Sequence, residues 1–599
     1  MKKYLLPVLG LALLVPAVSP TFAAPKSSEV QSVTFHGSRA PETVKERATL
    51  FTDAKVEVVY SDGTKKMFPL SYKKLFKTTD KIGGIQPGVA IDADGKPIMD
   101  NSVENEPIPY VSDGPDGTTL FQVEGASSKG MKGNPLYSIN HYEYTTLNHA
   151  GNSAYGVVPA SMGLNTIEQN KKDGSLKVKS VKKVDFSDVD GLWIPCNASL
   201  SPWNTHLGSE EYEPDARAFA EDPSKNTFTA AFTQAYYQDA EKMGNPYLYG
   251  FTPEISVNAK GATTVTKHYS MGRFSKELAK VMPDQRTVYF GDDGGYTMLF
   301  MYVADKKADL SAGTLYAGKW IQRSDKNGGS AKIEWIPLGH ATDDEVKEYA
   351  DTLTFSDMFE TASEDTPGFK KIRTYSSNGK DEWLKLKPGM EKAAAFLEPR
   401  RYAAMLGATS EFNKMEGVTY NNNGKRLYIA MSYVEKGMLA EEGAPADDIR
   451  LPKLKSGTVY EMRLTKGQKD KNGKKINSEY VANTMSGLIS GTDLANPDEV
   501  GNTAAVDNMA NPDNIAYSEA ARTLFIGEDS GMHVNNFVWA YNVDTKKLSR
   551  ILSVPAGGEA TGLSVVDDLN GFSYITSNVQ HPGDQSEMKN LPADLREEL

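Results

Sequence analysis

The most telling scarcity in this 599-residue chain is cysteine: Cys196 stands alone, so no internal disulfide can form. Long apolar runs are scarce too. Past the N-terminus no segment approaches the ~20 apolar residues needed to span a bilayer. Positive charge is in deficit, with 66 Lys+Arg against 78 Asp+Glu and a net charge of −12, which argues against a general grip on nucleic acid or an anionic membrane. Several catalytic signatures are missing as well. The eight histidines form no His-x-x-x-His or His-Glu-x-x-His pattern, and neither a Gly-x-Ser-x-Gly elbow nor a Walker loop occurs.

What is present begins with a secretory pattern. Lys2 and Lys3 precede an apolar run from Leu5 to Val18, and small residues follow through Ala23 and Ala24. Residues 1–23 are expected to be a signal peptide and 24–599 a single domain, periplasmic or secreted. No twin arginine precedes the run, so export by the general secretory route is expected. In an oxidising compartment an unpaired thiol is a liability unless it is buried or bound. Cys196 is therefore either an inert core thiol or a metal ligand.

Beyond the leader, short β-rich runs dominate, among them Thr287–Gly291, Thr297–Val303, Leu427–Tyr433, Thr458–Leu464, Thr523–Gly527 and Phe572–Thr576. Turn dipeptides such as Asp62-Gly63, Asp116-Gly117 and Asn472-Gly473 separate such runs. Short helices are expected at Asp343–Thr352 and Glu391–Phe396. The chain reads as mostly β.

A weak repeat runs through it. Glu277 precedes Tyr289 by 12 residues, Glu416 precedes Tyr428 by 12, and Asp513 precedes Phe525 by 12, with a looser fourth unit from Glu559 to Tyr574. An acid, a strand, a turn and a second strand is how a propeller blade begins. If the chain is a propeller, Glu277, Glu416 and Asp513 converge at the mouth of the central channel, and a multivalent cation is the simplest way to keep them ionised. Otherwise they are scattered acids in surface turns.

The ordered motifs carry a resemblance. They are Asn140-His141-Tyr142-Glu143-Tyr144-Thr145, the Cys196 to Glu210-Glu211 segment, Gly272-Arg273-Phe274-Ser275-Lys276-Glu277, Met415-Glu416-Gly417-Val418, Asn511-Pro512-Asp513-Asn514, Gly527-Glu528-Asp529 and Gln580-His581-Pro582-Gly583. In this order the set resembles the PhoX family of secreted alkaline phosphatases. The resemblance implies a six-bladed β-propeller with inserted loops and short helices, holding two irons and several calcium ions. By the same resemblance Cys196 bridges the irons, Glu211, Glu277, Glu416 and Asp513 are carboxylate ligands, and His141 and Glu143, close to the site, are further candidate metal ligands. Arg273 and Lys414 are the candidate cations for the phosphoryl group, with a metal-bridging oxygen as nucleophile. Lys276 and Lys414 depart from the family pattern of histidine and arginine.

The expected activity is hydrolysis of small phosphate monoesters by a monomer. A phosphodiesterase or phytase on the same scaffold is an alternative. So is a calcium-dependent propeller lactonase or binding protein that uses the axial acids without iron.

Overall fold

Alternating β-branched and aromatic residues, cut by Gly, Asn and Asp turns, fold here into successive antiparallel meanders. The structure, a computed structural model, describes residues 29–126, 130–223, 227–583 and 591–599. The secretory leader read at residues 1–23 lies outside the described residues.

The first meander comprises Pro115–Phe121, Asn134–Tyr142, Ser161–Gln169 and Leu176–Lys183. The second comprises Ser199–Leu200, His206–Leu207, Thr252–Val257 and Thr263–His268. The third runs through Lys276–Val281, Thr287–Thr297, Phe300–Lys306 and Asp309–Ser324, with Ser330–Thr342 added outside. The fourth is Phe412–Asn421, Arg426–Met431, Thr458–Thr465 and Val481–Ser490. The fifth is Pro512–Ser518, Thr523–Glu528, Phe537–Asn542 and Leu548–Ser553, and a final hairpin pairs Glu559–Leu569 with Phe572–Gln580. The architecture is mostly β, with propeller-like sheets, as expected.

Two meanders depart from independent blades. The long strands Asp309–Ser324 and Ser330–Thr342 reach outward, and Ser330–Lys332 pairs with Thr484–Ser486 of the fourth meander. At the inner end Asp292 pairs with Met415. Third and fourth meanders thus close into one ring of hydrogen-bonded strands. Its interior is filled by Met301, Trp320, Trp335, Ile429, Met462 and Met485, all buried. Burial of such large side chains, at ~25 cal/mol per Å² of apolar surface, is what holds the two sheets together.

Between Ser330–Thr342 and the fourth meander lies an insertion. The expected helix Asp343–Thr352 forms behind a capping box from Thr342 and Glu345, and Glu391–Leu397 and Pro399–Leu406 form two more helices. The circle of sheets closes without a shared strand: Thr561 Oγ1 donates to the Pro115 carbonyl at 3.0 Å, and the Gly562 amide donates to Asp116 Oδ1 at 3.1 Å. Among the described residues no helix is long and apolar enough to cross a membrane.

Candidate metal centre

Four inner strands share one irregularity at their first turn of pairing. Register shifts fall between Pro115 and Thr118, Lys276 and Ala279, Met415 and Val418, and Pro512 and Ile515. Each β-bulge holds one acid: Asp116, Glu277, Glu416 and Asp513. A bulge re-aims a side chain and ends regular pairing, and here it turns four carboxylates toward one cavity. The acids repeated in the sequence therefore converge.

A second set of acids comes from the far ends of the second strands. Glu143 follows Asn134–Tyr142, Glu211 follows His206–Leu207 by a short step, Asp293 lies in Thr287–Thr297, and Asp529 follows Thr523–Glu528. Start of one strand and end of the next share an edge in an antiparallel pair, so both sets face the same space. That space is a cavity of about 220 Å³ lined by seven of these acids and Glu559, with Cys196, Lys414, Tyr144, Tyr155, Tyr212 and Gln580, while Asp293 stands within ligating reach of Glu211 and Glu416.

Within it, four groups bring ligand atoms within 4.8 Å of one another: Asp116, Glu143 and Cys196; Cys196, Glu211 and Glu277; Glu211, Asp293 and Glu416; Glu277, Glu416 and Asp513. Burial first, then mutual repulsion, holds Glu143, Glu211 and Glu277 well above the carboxylate range. Asp116 is pushed up to about 7 by burial, with Glu559 adding repulsion against the Cys196 hydrogen bond. The Cys196 thiol, 3.2 Å from Asp116 Oδ2, is raised by burial and then by Asp116. Glu277 Oε2 and Gln580 Oε1 are buried without a partner among the described residues. Carboxylates in this number, with orphaned oxygens and a thiol, are a donor set for multivalent cations; a single lysine cannot neutralise them.

Lys414 is that lysine. Its ammonium lies 2.5 Å from Glu416 Oε1 and 2.9 Å from Asp529 Oδ2. Burial alone would strip its proton, but Asp529 and Glu416 more than offset this and hold it above the ordinary lysine value. The residue sits at φ +53°, a left-handed conformation that costs a non-glycine residue ~1 kcal/mol or more.

Two expectations are corrected. Arg273 does not face the cavity: its guanidinium is buried and donates to the carbonyls of Tyr249 at 2.8 Å, Pro246 at 3.2 Å and Pro214. It staples backbone loops and is not among the residues that line the cavity. His141 is also turned away. Its Nδ1 meets the Cys196 carbonyl at 2.5 Å and its Nε2 meets His206 Nε2 at 2.8 Å, so both ring nitrogens are engaged behind the cavity wall. Burial lowers it to about 4. Lys276, fully buried, likewise turns from the cavity to the carbonyls of Gly250 and Gly272.

Asp116, Asp293, Asp529 and Glu559 join the site without having been picked out as its residues. Asp116-Gly117 reads as a hairpin turn, yet it lies inside strand Pro115–Phe121. Gly117 is there for closeness: a Cβ would sit 2.4 Å from His141 Nδ1 and 2.7 Å from the Cys196 carbonyl. The signal for Asp293 and Asp529 was a spacing, since each follows its inner-strand acid, Glu277 or Asp513, by sixteen residues.

The model of the family described as alkaline phosphatase PhoX matches residues 93–583. A search of curated proteins by sequence finds no match. Among solved structures, PhoX of Pseudomonas fluorescens in complex with vanadate, a transition state analogue, is 16% identical, with 93% of this chain and 94% of that chain covered at a TM-score of 0.54. The periplasmic gluconolactonase of Pseudomonas aeruginosa is 10% identical over 92% of this chain and 99% of that one, at a TM-score of 0.28. A gluconolactonase of Xanthomonas campestris is 8% identical over 82% and 98%, at 0.24. The family match spans most of the chain and includes every carboxylate of the cavity, and the chain belongs to the PhoX alkaline phosphatase family.

Proposed function

We propose that this alkaline phosphatase hydrolyses phosphate monoesters outside the cytoplasm with a binuclear iron site and calcium ions held by the cavity acids. The observation that carries the reading is the buried ring of carboxylates around Cys196. Cys196 belongs to two neighbouring ligand groups, and so do Glu211, Glu277 and Glu416, which supports shared, bridging ligation. The soft thiolate suits iron, and the groups built only from carboxylates suit calcium. Bound there, the cations supply Lewis acidity to the phosphoryl oxygens and lower the pKa of water.

The chain's own residues do the rest. Lys414, kept charged by Asp529 and Glu416, donates to a phosphoryl oxygen as charge accumulates on it. It acts as a point charge, without the bidentate fork of arginine. Tyr212 donates to Asp293 Oδ2 at 2.6 Å and fixes that carboxylate's orientation. Gln580 donates to Asp116 Oδ2 at 3.0 Å and Glu143 Oε2 at 2.9 Å, joining two acids from one wall. The final hairpin, lacking outer strands, serves as a reduced sixth blade, and residues 24–599 act as one domain and a monomer.

Elemental analysis of the purified protein together with p-nitrophenyl phosphate turnover at alkaline pH tests this. Iron and calcium should accompany activity. Full activity in protein free of iron would overturn the cofactor assignment.

A further inference from the structure

Helix Pro399–Leu406 belongs to the insertion, and it delivers a buried arginine to the back of the metal centre. The Arg400 Nε lies 3.1 Å from both carboxylate oxygens of Asp292, its Nη2 also meets Asp292, and its Nη1 meets Glu213. The Tyr375 ring covers the guanidinium, with its centroid 4.8 Å away. Both partners adjoin cavity acids in the chain. Asp292 precedes Asp293, and Glu213 stands two residues after Glu211.

The intervening Tyr212 has φ +45°, a left-handed kink at the centre of Glu211-Tyr212-Glu213. Its amide donates to Ser275 Oγ at 2.8 Å and its hydroxyl to Asp293. Glu211 is thereby sent into the cavity and Glu213 to Arg400. Across the gap, Asp293 joins Glu211 and Glu416 and Asp292 faces Arg400. One guanidinium therefore ties together the two segments that present Glu211 and Asp293.

We infer that Arg400 is a positioning residue for the group Glu211, Asp293 and Glu416, clamping Glu213 to Asp292 so that the two adjacent ligands stand at ligating separation. This rests on the reading of those three carboxylates as metal ligands. Only arginine fits: its planar fork serves two carboxylates at once, which an ammonium on a flexible stem does not. Without the clamp, Asp292 and Glu213 become buried unpaired charges beside the ligands and compete with them for the cation.

Terbium(III), an oxygen-seeking luminescent probe, reads binding in this cavity, because Tyr212, hydrogen-bonded to Asp293, and the lining Tyr144 and Tyr155 can sensitise it. Full-length protein freed of metal is titrated with terbium alone. Loss of a residue that orients metal ligands costs about 10–100-fold in affinity. Arg400→Lys should therefore weaken tyrosine-sensitised binding by about 10-fold and Arg400→Met by about 100-fold. Arg401→Lys is the control for general damage to the helix, since Arg401 pairs with Glu398 and Glu382, away from the cavity acids. It should change affinity less than Arg400→Lys does. Equal binding by wild type and both Arg400 variants, or an equal loss in Arg401→Lys, would overturn the inference while leaving the ligands intact. Absence of sensitised binding in wild type would overturn the ligand reading, and the clamp with it.

Discussion

Neutralising one acid in the metal-free protein isolates the electrostatic cost of the cavity. Asp116 is fully buried, and its carboxyl rises from 3.8 to about 7, chiefly through burial. Once metal is chelated, the folded protein keeps this proton across pH 4–7, whereas the unfolded chain releases it near pH 4. The native state therefore binds more protons, and stability falls as pH rises, by about 1.4 kcal/mol per unit for each retained proton. By pH 7 the accumulated penalty from Asp116 is about 4 kcal/mol. Asp116→Asn carries no such proton, so in excess chelator the variant should gain on wild type by about 2 kcal/mol between pH 5 and 7. Urea unfolding of both proteins at pH 5, 6 and 7, followed by tryptophan fluorescence, measures the difference, and groups that do not interact with Asp116 cancel in it. With iron and calcium restored the order should reverse, since the ions bind only the native state and Asn is the poorer ligand. A difference that stays constant with pH in chelator, or one that moves in favour of wild type, would refute the claim that Asp116 is a penalised acid awaiting a cation.

Replacing the thiol with Cys196→Ser should lower bound iron and reduce kcat at least 100-fold, by analogy with the loss of a metal ligand or its orienting partner; unchanged iron content would argue that the thiol is only packing. Lys414→Met should cost 10²–10³ in kcat, the range for one donor to developing charge, and Lys414→Arg should retain most activity; equal losses in both would speak against a charge role. Arg273→Lys should lower stability by about 2 kcal/mol through lost carbonyl hydrogen bonds, seen as an earlier urea midpoint, and a raised KM with an unshifted midpoint would instead return Arg273 to the substrate site. Gly117→Ala should lower both stability and bound metal, because its methyl would collide with His141 and the Cys196 carbonyl; a normal melting temperature would contradict the close approach.

Much of this is legible in the sequence. The acids Glu277, Glu416 and Asp513 are marked by a recurring distance to an aromatic in the next strand, and that distance is the length of a bulged strand plus its turn. The structure brings all three to one cavity. Asp116 escaped because Asp-Gly is the usual signature of a hairpin, and only the bulge reveals that the pair sits within a strand. His141 and Arg273 misled for a related reason. Sequence nearness to a ligand says nothing about the face on which a side chain emerges, and each lies where the chain turns its side chain into packed backbone. The joining of third and fourth meanders was hidden too, since it depends on how far a long hairpin projects, a property that alternation along a strand does not encode.

The closure between the final hairpin and the first meander has a consequence for biosynthesis. Asp116, Glu143, Cys196 and Glu211 leave the ribosome long before Glu559 and Gln580 are made, yet Gln580 braces Asp116 and Glu143 and the hairpin's Gly562 amide grips Asp116. The nascent chain thus carries Asp116 and Glu143 before the hairpin that braces them exists. A product terminated before the last hairpin would hold these two acids unbraced, although every ligand group lies earlier in the chain.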